Sequence, residues 1–234
     1  MRLQAYHHAM AEFPRESCGL VVERNGRASY WPCDNLSNAA SCFMLDPKGY
    51  AEAADYGDIV AVVHSHPQMS ATPSVIDRQA CEASGLPWHI VSVPAGSWAY
   101  LEPQGYTQDL LGRPWVHAVT DCYTLVRDWY RITGSIYLSE YDRREEWWKK
   151  GDDLYTGHFA DEGFTEIPLS RIEPGDAVLM AIGSKVPNHA AVYVGDNVIL
   201  HHVMGRLSGR DVLDETWRRR ITHVLRYADD IVIG

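Results

Sequence analysis

The sequence predicts a chain of mixed α/β and α+β character, divided into an α/β domain followed by an α+β domain. The 234 residues suffice for one large domain or two small ones, each able to bury a core. Helical and extended signals alternate along the chain. The alternation resets once, at Glu102–Pro114 (EPQGYTQDLLGRP), where two Pro and two Gly interrupt any periodicity and mark a linker. The expected division is 1–104, a connection over 105–114, and 115–234, giving domains of about 100 and 120 residues, an ordinary size.

In the first part, Arg2–Phe13 reads as a helix ended by Pro14, and Cys18–Glu23, Ala28–Trp31 and Cys42–Leu45 read as strands. Lys48–Asp55 is helix-like and leads into the buried-strand run Ile59–His64. Ser74–Ser84 reads as a helix closed by Gly85, and Trp88–Val93 and Trp98–Leu101 as strands. In the second part a helix starts at Asp121 (DCYTLVRDWYRI), followed by a charged helical stretch over Asp142–Lys150. Three strand-like runs follow, Ala177–Ile182, Ala190–Val194 and Val198–Val203, and Thr216–Tyr227 mixes both signals.

Composition narrows the function classes. The net charge of −10, from 21 Lys+Arg against 31 Asp+Glu, argues against nucleic acid as a partner, since a basic surface supplies that affinity. Five cysteines without a C-x-x-C pair make a poor disulfide framework. The opening MRLQAYHHAMAEFPRE has no apolar core of signal-peptide length, and no run approaches the ~18 apolar residues of a membrane span. The expectation is a chain made and kept reduced in a cytoplasm. The chemistry then rests on a few of its eleven histidines and five cysteines.

His64 and His66 end a strand two residues apart, so both imidazoles share one face and can reach one ion. Pro67 ends the strand, and Asp77 falls in the first turn of the next helix, within reach of the strand end. Two His and one carboxylate leave a fourth tetrahedral position for water, as in a catalytic zinc site. Each half also has an ordinary structural use: Ser74-x-x-Asp77 is close to a capping box, and H-x-H is commonly a packed or solvated pair. Their coincidence within fourteen residues favours the metal site.

The pattern H-S-H-P followed by P-S-x-x-D resembles the JAMM metallopeptidase motif, with every position filled. That resemblance implies a cytidine-deaminase-like α/β fold with Zn2+ held by His64, His66 and Asp77. The early segment Phe13-Pro14-Arg15-Glu16-Ser17-Cys18-Gly19-Leu20 matches the family's upstream context, which makes Glu16 the implied general base. Ser74 is implied to help hold the tetrahedral oxyanion.

Cys122 follows Asp121 at the start of a predicted helix, where the dipole and free N–H groups are expected to lower its pKa. A base must come from elsewhere in the chain. His189 opens an extended run, and a second run ends in His201-His202, with the turn signal Gly195-Asp196-Asn197 between them. If His189 lies opposite His201, which needs an odd-length loop, both share a face. A two-residue loop pairs His189 with His202 instead. Cys18, Cys33, Cys42 and Cys81 read as small buried hydrophobes.

DCYTLVRDWY, NHAAVYVG and LHH together resemble the NlpC-type papain-like cysteine peptidases. The implied roles are Cys122 as nucleophile, His189 as base and, twelve positions on, His201 as the residue orienting the imidazole. The sequence departs from that family in two ways. Tyr123 follows the nucleophile in place of a small residue, and the upstream oxyanion-site Tyr has only Tyr106 and Trp115 as candidates.

A JAMM domain joined by a short linker to an NlpC-type domain resembles a family of tail-tip assembly proteins of lambda-like phages. This implies phage tail-tip proteins and peptidoglycan stem peptides as partners. It implies cleavage of peptide cross-bridges, typically next to a D-glutamyl–diaminopimelate bond. The implied locations are the host cytoplasm during assembly, then the tail tip and host periplasm. The substrate of the first half stays open. The competing reading is an assembly scaffold with one or both sites dormant, since a fold does not establish activity. Trp147-Trp148 reads as packing or, alternatively, as an aromatic pair beside a glycan-substrate cleft, and Trp217-Arg218-Arg219-Arg220 as a solvated face or a partner for acidic stem peptides.

Overall fold

Two β-sheets organise the computed structural model, which describes residues 1–40, 42–143 and 146–228. Each sheet belongs to one of two units, Met1–Tyr106 and Thr107–Gly234. The first unit runs α1 (Arg2–Glu12), β1 (Cys18–Arg24), β2 (Arg27–Cys33), α2 (Pro47–Tyr56), β3 (Asp58–Pro67), α3 (Val75–Ser84), β4 (Trp88–Val93) and β5 (Trp98–Leu101). Its sheet has the order β2-β1-β3-β4-β5, with β3 and β4 parallel and the other pairs antiparallel.

Both faces of that sheet are covered, which is why its strands read as continuous apolar runs. Leu20, Val22, Val62 and Trp88 pack with Ala53 of α2 and Cys81 of α3. Val21, Ala61 and Val63 face the other way and pack with Ala5 of α1. Period-two geometry therefore puts His64 and His66 of β3 on the same face as α2 and α3.

Local chemistry fixes the helix starts. Asp46 accepts a hydrogen bond from the Lys48 N–H, with Pro47 at the first helical position of α2. Ser74 and Asp77 form a reciprocal capping box on α3, and Gly85 ends that helix in the left-handed conformation, φ +65°. The strand expected over Cys42–Leu45 is absent; Leu45 makes a single bridge with Asn35. The Asn35 amide takes over the ladder's bonds there, donating to the carbonyls of Glu16 and Cys42 and accepting from the Met44 N–H.

The second unit holds α4 (Cys122–Gly134), a 3₁₀ turn at Trp147–Lys150, α5 (Leu154–His158), β6 (Phe164–Ile167), a 3₁₀ turn at Leu169–Arg171, β7 (Ala177–Met180), β8 (His189–Gly195), β9 (Val198–His201), β10 (Gly209–Val212), α6 (Glu215–Arg218) and β11 (Ile221–Tyr227). The sheet is antiparallel throughout, in the order β10-β9-β8-β7-β11-β6. Leu125, Val126, Trp129 and Tyr130 of α4 pack on Leu179, Ala190, Val192 and Leu200. The opposite face buries Val178, Met180, Ala191, Ile199 and Leu213, with Trp217 packed against them.

Residues 107–121 carry neither helix nor strand, yet they are tied into this unit. Arg113 is fully buried and donates to Asp128 Oδ2 (2.6 Å) and to the carbonyl oxygens of Asp109 (2.8 Å) and Gln108 (2.5 Å). The helix expected over Asp142–Lys150 is reduced to the turn at Trp147–Lys150, and Arg144 and Glu145 lie outside the described residues. Arg143 explains the departure. Instead of facing water it is buried, donating to Asp121, Glu140 and the Ala118 carbonyl.

The β8–β9 hairpin corrects both expected registers, because His189 pairs directly with neither His201 nor His202. Asp196 and Asn197 form a two-residue turn, both with positive φ (50° and 59°), and Gly195 pairs with Val198. A register shift between Tyr193 and Gly195 then sets Ala191 opposite His201. The turn alone would have set His202 opposite Ala191. The bulge restores His201 to the face shared with His189, diagonally across the strands. No helix among the described residues is long and apolar enough to cross a membrane.

Candidate active sites

In the first unit, α3 brings Asp77 up to the end of β3. Among the described residues, His64, His66 and Asp77 each offer a ligand atom within 4.8 Å of the others, and all three residues are buried. His64 Nε2 lies 3.1 Å from His66 Nε2 and 3.2 Å from Asp77 Oδ1, and His66 Nε2 lies 3.3 Å from Asp77 Oδ2. A tetrahedron with bonds of about 2.0 Å has an edge of about 3.3 Å, so the spacing suits one small cation.

The donor chemistry agrees. His66 Nδ1 lies 2.8 Å from the Ser70 carbonyl oxygen, which can only accept, so that nitrogen carries the proton. In the neutral ring, Nε2 then presents a lone pair toward a carboxylate, and a proton or a metal ion must lie between them. The residues fit a tetrahedral zinc site.

The capping and ligand readings of Ser74-x-x-Asp77 both hold. Asp77 Oδ2 accepts the Ser74 N–H at 2.6 Å and Ser74 Oγ accepts the Asp77 N–H at 3.1 Å, while the same carboxylate faces both imidazoles. The cap is what aims the carboxylate. Burial acts to raise the Asp77 pKa, but hydrogen bonds to His64 and His66 outweigh it and hold the carboxyl well below its usual range. Burial lowers His64. It works against His66 as well, but bonds to Asp77 and the Ser70 carbonyl raise that imidazole. Glu16 is buried, and desolvation pushes it up to about 7, partly opposed by His66. Phe43 stacks on His64 with ring centres 4.9 Å apart.

In the second unit, Asp121 caps α4 by accepting the Thr124 N–H at 2.9 Å, which leaves Cys122 as the first helical residue. Cys122 and His189, the first residue of β8, line one cavity of about 300 Å³, with Trp115, Asn188, Trp147 and Tyr155 in its wall. His189 Nε2 lies 3.1 Å from His201 Nδ1.

Burial reverses the expected effect of the helix start on the thiol. Desolvation, and then the Asp121 charge, push Cys122 up to about 11, opposed by a contact of 3.5 Å from its sulfur to the Tyr155 hydroxyl. Desolvation with the neighbouring His201 and His202 pushes His189 down to about 3. Both shifts favour the uncharged forms, thiol and neutral imidazole.

Several residues stand against these sites in places that the sequence does not reveal. Trp217 is part of no solvated face: it stacks near-parallel on His189 (6.3 Å) and packs edge-on to His201 (4.7 Å), with Arg220 over its ring. Tyr155 and Asp211 come from elements whose pairing the spacing does not reveal. Trp147 is buried against Trp148 and Tyr155 in the cavity wall. Of the two candidate oxyanion aromatics, Trp115 lines the cavity and Tyr106 belongs to the first unit. Cys18, Cys33 and Cys81 are buried as expected, but Cys42 is exposed and lies 2.9 Å from Ser37 Oγ.

Comparison with known proteins follows the same division. The model for prokaryotic homologs of the JAB domain matches residues 1–102, and the NlpC/P60 family model matches residues 108–226. The tail tip assembly protein K of Escherichia phage N15 is 40% identical over 225 residues, covering 95% of this chain and 92% of that protein. The protein of the same name from Escherichia phage lambda is 40% identical over 181 residues, covering 77% of this chain and 87% of that one. Among solved structures, an NlpC/P60 family protein from Bacillus cereus ATCC 10987 aligns over 95% of this chain and 67% of its own, with 12% identity and a TM-score of 0.38.

Proposed function

The chain belongs to the family of tail tip assembly protein K, with a JAB-type first half and an NlpC/P60 second half, and from that membership we propose a phage tail-tip assembly protein carrying two peptidase sites. The second site cuts peptide cross-bridges of peptidoglycan. The observation that supports this most directly is the sharing of one cavity by Cys122 and His189, with His189 hydrogen-bonded to His201.

The proton levels favour attack by a neutral pair. As Cys122 Sγ bonds to the carbonyl carbon of the scissile amide, its proton passes to His189. The C–N bond then breaks and His189 returns that proton to the leaving amine. Water completes the cycle: His189 takes its proton, the hydroxyl adds to the thioester carbon, the acid departs and the thiol is restored. Trp217, stacked on the His189 ring and edge-on to the His201 ring, limits their rotation.

For the first half we propose hydrolysis of a peptide or isopeptide bond at a zinc site held by His64, His66 and Asp77. When bound, the ion supplies Lewis acidity to a water and to the substrate carbonyl. Glu16, buried and within electrostatic reach of His66 and Asp77, takes the proton of the attacking water and delivers it to the leaving amine. Ser74 Oγ already accepts the Asp77 N–H, so its own hydroxyl proton stays available for the oxyanion.

The test is mass spectrometry of muropeptides from Gram-negative peptidoglycan digested with the full chain. Cleaved cross-bridges are expected with wild type and with His66→Ala, and none with Cys122→Ala. Equal cleavage by Cys122→Ala overturns the second site, and no cleavage by wild type supports a dormant scaffold instead.

A further inference from the structure

The hydrogen bonds around His201 continue beyond the three residues of the Cys122 site. On the far side of the ring, His201 Nε2 lies 3.1 Å from Asp211 Oδ2. Asp211 sits on β10, which pairs with β9 so that Gly209 opposes His201 and Asp211 opposes Ile199. The carboxylate thus reaches the imidazole diagonally across two strands, on the face they share. It is itself held by Arg206, whose two terminal nitrogens lie 3.0 Å from Oδ2 and 3.1 Å from Oδ1. This forked contact fixes the plane of the carboxylate.

We propose that Asp211, clamped by Arg206, is a positioning residue that sets the tautomer of His189 through His201. The inference rests on the reading of Cys122 and His189 as nucleophile and base. An ionised carboxylate can only accept, so the proton in the His201–Asp211 contact belongs to His201 Nε2. A neutral His201 then has a bare Nδ1, which must accept from His189 Nε2 across the 3.1 Å contact. His189 is left with its proton on Nε2 and a lone pair on Nδ1, the form that can take a proton from the thiol. Without Asp211, His201 is free to hold its proton on Nδ1. It would then donate to His189 Nε2, and His189 Nδ1 would carry the proton and could not act as base. One exposed-side carboxylate thereby decides which nitrogen is basic two rings away.

The arrangement also explains why His201 is followed by a loop that returns so soon. Residues 202–208 bring Arg206 and Asp211 back against the ring that β9 has just delivered, and His202 Nε2 lies 3.1 Å from the Arg206 carbonyl oxygen, which braces that return.

The experiment uses the full-length chain as wild type, Asp211→Ala, Asp211→Glu and His189→Ala. Long-range ¹H–¹⁵N correlation of the histidine rings reads the tautomers, and the rate of Cys122 alkylation by iodoacetamide at pH 7 reads the base without any substrate. Wild type is expected to show Nε2–H on both His189 and His201. Asp211→Ala is expected to shift His189 toward Nδ1–H and to slow alkylation about tenfold, as loss of an orienting carboxylate typically does. Asp211→Glu is expected to recover most of both. The proposal is overturned if His189 carries Nδ1–H in wild type, or if its tautomer is unchanged in Asp211→Ala. A slower Asp211→Ala with unchanged tautomers would assign Asp211 to bracing the loop alone, which also overturns it. If His189→Ala alkylates as fast as wild type, the base reading fails, and the tautomer spectra still decide the role of Asp211.

Discussion

At the scale of single residues, the Cys122 site departs from the simple picture of an activated thiolate. The helix start supplies a favourable dipole, but the thiol is buried beside the Asp121 carboxylate, and burial prevails. With the thiol near 11 and His189 near 3, both groups are neutral between those values. On top of the His189-assisted rate at pH 7, iodoacetamide alkylation of Cys122 is expected to gain a direct thiolate component that climbs about tenfold per pH unit from pH 8 to 10, below the thiol pKa. A rate that is already maximal at pH 7 and gains nothing up to pH 10 would instead report a thiolate–imidazolium pair. Asp121 itself stays ionised because Arg143 and two backbone N–H groups outweigh the cost of burying it. Its charge thus costs the thiol acidity while its cap places the thiol.

At the scale of elements, one cap and one bulge do the positioning. Ser74→Ala removes a side-chain acceptor at the start of α3 and is expected to cost about 1 kcal/mol of stability, read by urea unfolding. The same change keeps the Ser74 N–H that holds Asp77 Oδ2, so zinc affinity is expected to change little; a large loss would show that the Ser74 hydroxyl is also needed to aim Asp77. Which parts were legible in the sequence follows from the same geometry. His64, His66 and Asp77 lie on one strand end and the next helix turn, so spacing and periodicity reveal them together. Cys122 and His189 are sixty-seven positions apart, and only their resemblance to known motifs joined them. Tyr155 and Asp211 were invisible, and Trp217 was read as part of a solvated run, because their placement depends on which strands pair and on how α5 and α6 pack. The absent strand at Cys42–Leu45 failed for a different reason: the Asn35 side chain took the backbone bonds that a strand would have needed.

At the scale of the whole molecule, each unit has its own sheet and its own core. Removal of metal should therefore act on one of them. About one zinc per chain is expected by elemental analysis, lost in His64→Ala, and chelation should lower the melting transition of the first unit while leaving muropeptide release by the second unchanged. A fall in both would reveal coupling. The hairpin of the second unit also bears on how such a chain can change over generations. Its two-residue turn and single bulge decide whether His201 or His202 faces His189. Losing or gaining one residue there exchanges the two, and because they are neighbours of the same kind, an imidazole arrives at the position either way. The paired histidines make this stretch forgiving of a one-residue insertion or deletion, an accident that in most strands would turn the working side chain away from its site. The tolerance has a limit set by β10, since Asp211 is placed for His201 and the substitute ring would inherit the position without its carboxylate.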